Sequence, residues 1–132
     1  MKETLNQLAR FSLVGCAGFI VDVTVLAICL HKASLGPYMG RAVSFLVAVT
    51  TTWYLNRVFT FSSSDREAIQ TQWAKFVVAN CLGGGINLAV YSLLVFYLLT
   101  TLQGAMIAVG IGSIAGLAFN FLVSRRYVFR TR

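Results

Sequence analysis

Hydrophobic positions collect into four long runs, at 11–31, 38–56, 76–99 and 104–123, separated by short polar stretches. Each run approaches the roughly 20 residues that an α-helix needs to cross a bilayer core of about 30 Å. The pattern predicts an all-α integral membrane protein with four transmembrane helices and no separate soluble domain, so that 1–132 is one membrane domain. The first run is too long for the h-region of a signal peptide, carries Asp22, and lacks a small-x-small cleavage site before a soluble chain.

The two halves of the chain repeat each other. "RFSLVGCAGFIVD" (10–22) aligns with "KFVVANCLGGGIN" (75–87) at an offset of 65, and "TWYLNRVFTF" (52–61) aligns with "NFLVSRRYVF" (120–129) at 68. The halves are 10–61 and 75–129, joined by a cytoplasmic linker over 62–74. Two helices return the chain to its starting side, so the repeats are expected to run parallel. Helices 2 and 4 share a stripe of small or hydrogen-bonding residues every fourth position. These are Gly40, Ser44, Ala48, Thr52 and Asn56, and Ala108, Gly112, Gly116, Asn120 and Ser124. Such stripes let helices approach closely. Both grow more polar toward one end, which also suits a polar cavity opening on the cytoplasmic face. Helix 3 has its own polar line, Asn80, Asn87 and Tyr91, beside three consecutive glycines at 83–85.

The net charge of +7 is sorted by side rather than spread in a patch for nucleic acid. Nine of the eleven basic residues precede helix 1, lie between helices 2 and 3, or follow helix 4; the other two are Lys32 and Arg41. The positive-inside rule then puts both termini in the cytoplasm. Cys16, Cys29 and Cys81 fit no metal pattern and read as packing residues, and no cofactor, metal or catalytic constellation is visible.

Asp22 stands against this background. A lone carboxylate at the centre of a membrane helix costs about 2.5–3.5 kcal/mol. Arg41, about one turn inside the outer end of helix 2, is within reach in depth. In the second half both charges vanish together: Asp22 becomes Asn87, and the counterpart of Arg41 falls among Met106 to Val109. We expect an Asp22–Arg41 ion pair, serving either as a structural lock or as a contact for polar substrate groups.

The ends of helices 2 and 4, "YLNRVFTF" and "LVSRRYVF", each join a small polar residue to arginine and then to aromatics. A guanidinium at headgroup level takes phosphate bidentately, and Phe59, Phe61, Tyr127 and Phe129 are expected to anchor in the membrane interface. At these residues the chain resembles the GtrA-like family of small bacterial membrane proteins. The resemblance rests on the aligned segments above together with "RAVSFLVAVTTTWYLNRVFTF" and covers nearly the whole chain. Thr52 stands where such proteins often carry asparagine, and Val58 where a second arginine is common.

The resemblance implies translocation of a polyprenyl-phosphate-linked sugar from the cytoplasmic to the outer leaflet of the bacterial inner membrane, for cell-surface polysaccharide synthesis. On that reading Arg57, Arg125, Arg126, Arg10 and Lys75 hold the phosphate, and Asp22, Arg41, Asn56, Asn87, Asn120 and Ser124 form the polar path for the sugar. Four helices make a thin wall around a sugar, so a homo-oligomer is expected. Two other readings remain: a non-transporting anchor for a membrane glycosyltransferase, and a small multidrug-type exporter, which the charge bias and the repeat disfavour.

Overall fold

The computed structural model describes residues 2–33, 36–61, 68–97 and 102–129. Their order is α1 (Lys2–His31), α2 (Pro37–Leu55), α3 (Ile69–Tyr97) and α4 (Leu102–Val123), with a π-helical turn after α2 (Asn56–Thr60) and another after α4 (Ser124–Val128). Helices α1 and α3 start several residues before their apolar runs. No glycine or proline interrupts 2–10 or 69–75, so the helix continues into polar sequence. At 30 and 29 residues they are about 45 Å long, well beyond a bilayer core. The described part of the expected linker, from Ile69 on, is therefore helical; its 62–67 portion, the helix 3 end at 98–99, and Arg66, Arg130 and Arg132 lie outside the described residues. Helix α2 starts at Pro37 after an extended Gly36, a position where the missing N–H of proline costs no hydrogen bond.

Among the described residues, three helical stretches are long and apolar enough to cross a membrane: α1, α3 and Gln103–Val128. Helix α2, expected as the fourth span, is not among them, because Arg41, Ser44 and the threonines at 50–52 dilute its 19 residues. Only 11–22% of the three spans is buried within the fold, so their apolar side chains face outward, as a lipid environment requires.

The helices pack as two pairs, α1 on α2 and α3 on α4. All ten residues of the small stripes are buried or half-buried, and several of them meet the partner helix within a pair. Gly18 of α1 faces the Thr52 methyl; Gly83 of α3 faces the Asn120 side-chain amide. Gly112 and Gly116 lie against the backbone of Asn87 and Gly83. A Cβ on Gly83 would collide with the Asn120 amide, whereas one on Gly84 meets nothing within 4 Å. Gly83→Ala is accordingly expected to cost about 1–3 kcal/mol by overpacking, and Gly84→Ala to be nearly neutral. Unfolding of both in the same micelles checks the contrast.

The pairs join at the arginine-rich end through a cluster of rings. Phe61 and Phe129 stack with centroids 4.7 Å apart. Phe11 meets Phe61 at 6.0 Å and 60°, and Phe76 meets Phe129 at 5.9 Å and 60°, the same arrangement at matched positions of the two halves. Phe121 completes the cluster against Phe11 and Phe61. Phe61 and Phe129 are thus core residues, 3% and 1% exposed, and not interfacial anchors; Phe59 and Tyr127 are the exposed ones. The π-turns give the reason. Phe61 N–H bonds Asn56 O and Phe129 N–H bonds Ser124 O, each five residues back. The wider turn absorbs about one extra residue, which rotates the residues beyond it by roughly 100° and carries these rings inward. Of the cysteines only Cys29 is buried; Cys16 and Cys81 are exposed, so they do not pack the interior.

Candidate functional site

An open pocket of about 280 Å³ lies between α1 and α2, with Phe76 and Asn80 of α3 and Leu117 and Asn120 of α4 completing its lining. Residues 11, 15, 18, 19 and 22 of α1 line it, spaced along one helix face, and α2 contributes a matching face from Arg41 to Asn56. That stretch of α2 spans about 22 Å. Its volume lies at the lower end of small-molecule pockets, which run roughly 300–1,000 Å³.

The polar lining is Asp22, Arg41, Thr52, Asn56, Asn80 and Asn120. Arg41 Nη1 donates to Asp22 Oδ2, joining α2 to α1 by an ion pair toward the far end. Asp22 is 15% exposed and its Oδ1 is buried with no partner. Thr52 Oγ1 donates to Ala48 O at 3.0 Å, and Asn80 Nδ2 to Phe76 O at 2.9 Å. Thr60 Oγ1 donates to Asn56 Oδ1 at 2.8 Å, which fixes the Asn56 amide at the arginine-rich end of the cavity. Asn120 Oδ1 is buried without a donor. Two of the sequence-predicted path residues do not line this cavity. Asn87, one turn past Gly83, is turned against Gly112 and Gly116 of α4, and Ser124 is fully buried under the second π-turn.

None of the five expected phosphate-binding residues lines the cavity. Arg57 is half-buried, donates to Gln72 Oε1 and lies 6.0 Å over the Trp53 ring. Arg10 is exposed and donates to Phe59 O at 3.0 Å across the α1–π-turn contact. Lys75 and Arg125 are half-buried, and Arg126 is exposed. The basic residues and the polar cavity are therefore two sites, with the cations set around the end toward which the cavity runs.

A family model described as the GtrA/DPMS transmembrane domain matches residues 10–129. The chain belongs to that family. Membership of the GtrA/DPMS domain, with three helices able to cross a membrane, makes the chain a multi-pass membrane protein and points to a part in lipid-linked sugar processes. The family is generally non-catalytic.

In this GtrA/DPMS domain three further polar residues, which the sequence did not single out, take part in the packing. Gln7 and Gln72, 8% and 0% exposed, each stand three residues before a half, matched at the offset of 65. Gln72 takes the Arg57 bond from the other half; Gln7 Oε1 is buried without a partner. Extending the first alignment three residues upstream of Arg10 would have found them. Thr50 is another: its Oγ1 accepts from Trp73 Nε1 at 3.0 Å, a polar tie between α2 and α3.

Proposed function

We propose that this GtrA/DPMS domain moves a polyprenyl-phosphate-linked sugar from the cytoplasmic to the outer leaflet of a bacterial inner membrane. The observation that carries the reading is the pocket itself: a mostly apolar, open pocket that carries the Asp22–Arg41 pair, Asn56 and Asn120, in a bundle whose outer faces are apolar. A lipid-linked sugar needs polar groups of this kind, because its isoprenoid tail stays in the bilayer while only the head must cross. The basic residues Arg10, Lys75, Arg125 and Arg126 gather the phosphate at the starting leaflet.

In this reading α2 is the fourth span, paired on α1, with its charged residue neutralised by Asp22. Both termini are cytoplasmic, and the halves are parallel repeats. The matched π-turns, the matched phenylalanine contacts and the matched glycine contacts at 18 and 83 support the repeat. The working unit is a homo-oligomer. A second reading, a non-transporting anchor for a membrane glycosyltransferase, draws support from Arg57, whose guanidinium is spent on Gln72 and Trp53.

The test is reconstitution into vesicles carrying a polyprenyl-phosphate glucose lipid in one leaflet only. Translocation predicts exchange far above the rate of empty vesicles. Exchange at the empty-vesicle rate by folded, correctly inserted protein would favour the anchor.

A further inference from the structure

Resting on the reading that the cargo is a polyprenyl-phosphate lipid, we infer that a groove on the outer face of α3 and α4, headed by Lys75, is its docking seat in the starting leaflet. The phosphate sits on Lys75, and the first isoprene units lie along Val78, Leu82 and Val123.

An open groove of about 450 Å³ runs along α3 and α4 at the arginine-rich end. Thr71, Lys75, Val78 and Leu82 form one wall; recurring every three or four residues, they share a face of α3. Val123 of α4, with Tyr127 and Val128 of the π-turn, forms the other, and Ala74 and Ala79 put small side chains beside them. The groove shares no residue with the Asp22 pocket, whose α3 members, Phe76 and Asn80, stand on another face. From Thr71 to Leu82 it covers about 16 Å, roughly half of a bilayer core, so it stays within one leaflet.

Polarity is ordered the same way on both walls. Thr71, Lys75 and Tyr127 stand at the arginine-rich end, whereas Val78, Ala79, Leu82 and Val123 lie deeper and are apolar. An amphiphile with an anionic head matches that order. An ammonium carries three donors, so Lys75 offers a phosphate a charge-assisted bond beside its other contacts. Arg125 and Arg126, between Val123 and Tyr127 in the chain, add positive potential at the same end. Val78, Leu82 and Tyr127 are exposed, so a chain enters sideways from the bilayer.

The apolar wall alone gains little, because the surrounding lipid is equally apolar. Selectivity comes from fit. A regularly methyl-branched chain sets its methyl groups against Ala74 and Ala79, where a straight acyl chain leaves gaps. One cationic seat heading one groove also suits a single chain, and a diacyl lipid brings two to the same head. When the lipid moves on, phosphate and sugar leave the seat together.

Binding is read with a short-chain polyprenyl-phosphate glucose, photoreactive at its first isoprene units, in nanodiscs of neutral lipid. Adducts are expected within 71–82 and 123–128. Unlabelled polyprenyl-phosphate glucose should displace the probe at least about tenfold better than phosphatidylglycerol, which carries the same single negative charge on two acyl chains. It should also outdo the neutral polyprenol by at least about tenfold. Lys75→Gln, which removes the charge, and Val78→Trp, which fills the groove, should each weaken binding about tenfold. Lys75→Arg should restore most of the loss, and Leu88→Trp, exposed further along α3, should change nothing.

Equal displacement by phosphatidylglycerol would overturn the inference, since the seat would then serve anionic lipids at large. So would adducts that survive Val78→Trp in protein that melts like the native form, or a second copy crosslinked through 71–82 that the glucose lipid does not displace. Binding in the groove without leaflet exchange in vesicles would leave the inference standing and remove the translocation reading. Native exchange by Val78→Trp would do the reverse, so the two fail separately.

Discussion

Arg41→Met is expected to lower the stability of the folded protein by about 3 kcal/mol, because it leaves the Asp22 carboxylate in a cavity wall without its counter-ion. Breaking one side of a buried pair typically costs roughly 3–5 kcal/mol. The lower end applies because Arg41 is 57% exposed, so the pair is only partly buried. The second half of the chain shows the remedy: Asn87 stands at the position matching Asp22, and no arginine lies among the residues matching Arg41. Asp22→Asn combined with Arg41→Met should therefore recover most of the loss. Unfolding of the two single variants and the double variant in one detergent checks this. A double variant no more stable than Arg41→Met would remove the pair as an energetic unit.

Phe129→Ala is expected to have the larger effect, about 3–5 kcal/mol, the usual cost of emptying a phenylalanine site in a packed core. Phe129 is 1% exposed, stacks on Phe61 of the other half at 4.7 Å and meets Phe76 at 5.9 Å. It sits where the helix pairs touch, so its removal also loosens the halves from each other. Tyr127→Ala, two residues away and 65% exposed, should stay within about 0.5 kcal/mol of the native protein. Thermal unfolding of the two variants side by side decides the matter; similar melting points would contradict the inward placement of the ring.

Much of this architecture was legible in the chain. The four apolar runs mark the four helices, and spacing by four picked out the stripes that bury themselves between α1 and α2 and between α3 and α4. The joint loss of charge at Asn87 and at the Arg41 counterpart pointed to the Asp22–Arg41 contact. The features that escaped are ones hydropathy does not encode. A π-turn leaves no mark in composition, yet it decides that Phe61 and Phe129 face the core and that Phe59 and Tyr127 do not. Asn87 and Asn120 look alike as polar residues on membrane helices. Asn87 is taken up by the backbone of α4 at Gly112, and Asn120 reaches the cavity because Gly83 leaves room for its amide. Gln7 and Gln72 were missed because they stand among polar residues before the apolar runs, where burial is not the default expectation.

The measurement that bears most directly on the central claim is leaflet exchange of a polyprenyl-phosphate glucose lipid in vesicles. It compares the native protein with Asp22→Asn, Asn120→Leu and the lipid-facing control Leu93→Val at matched insertion and abundance. The account predicts rapid exchange by the native protein and the control, and loss of most of it in both cavity variants. Equal exchange by all four proteins would contradict a route through the Asp22 cavity.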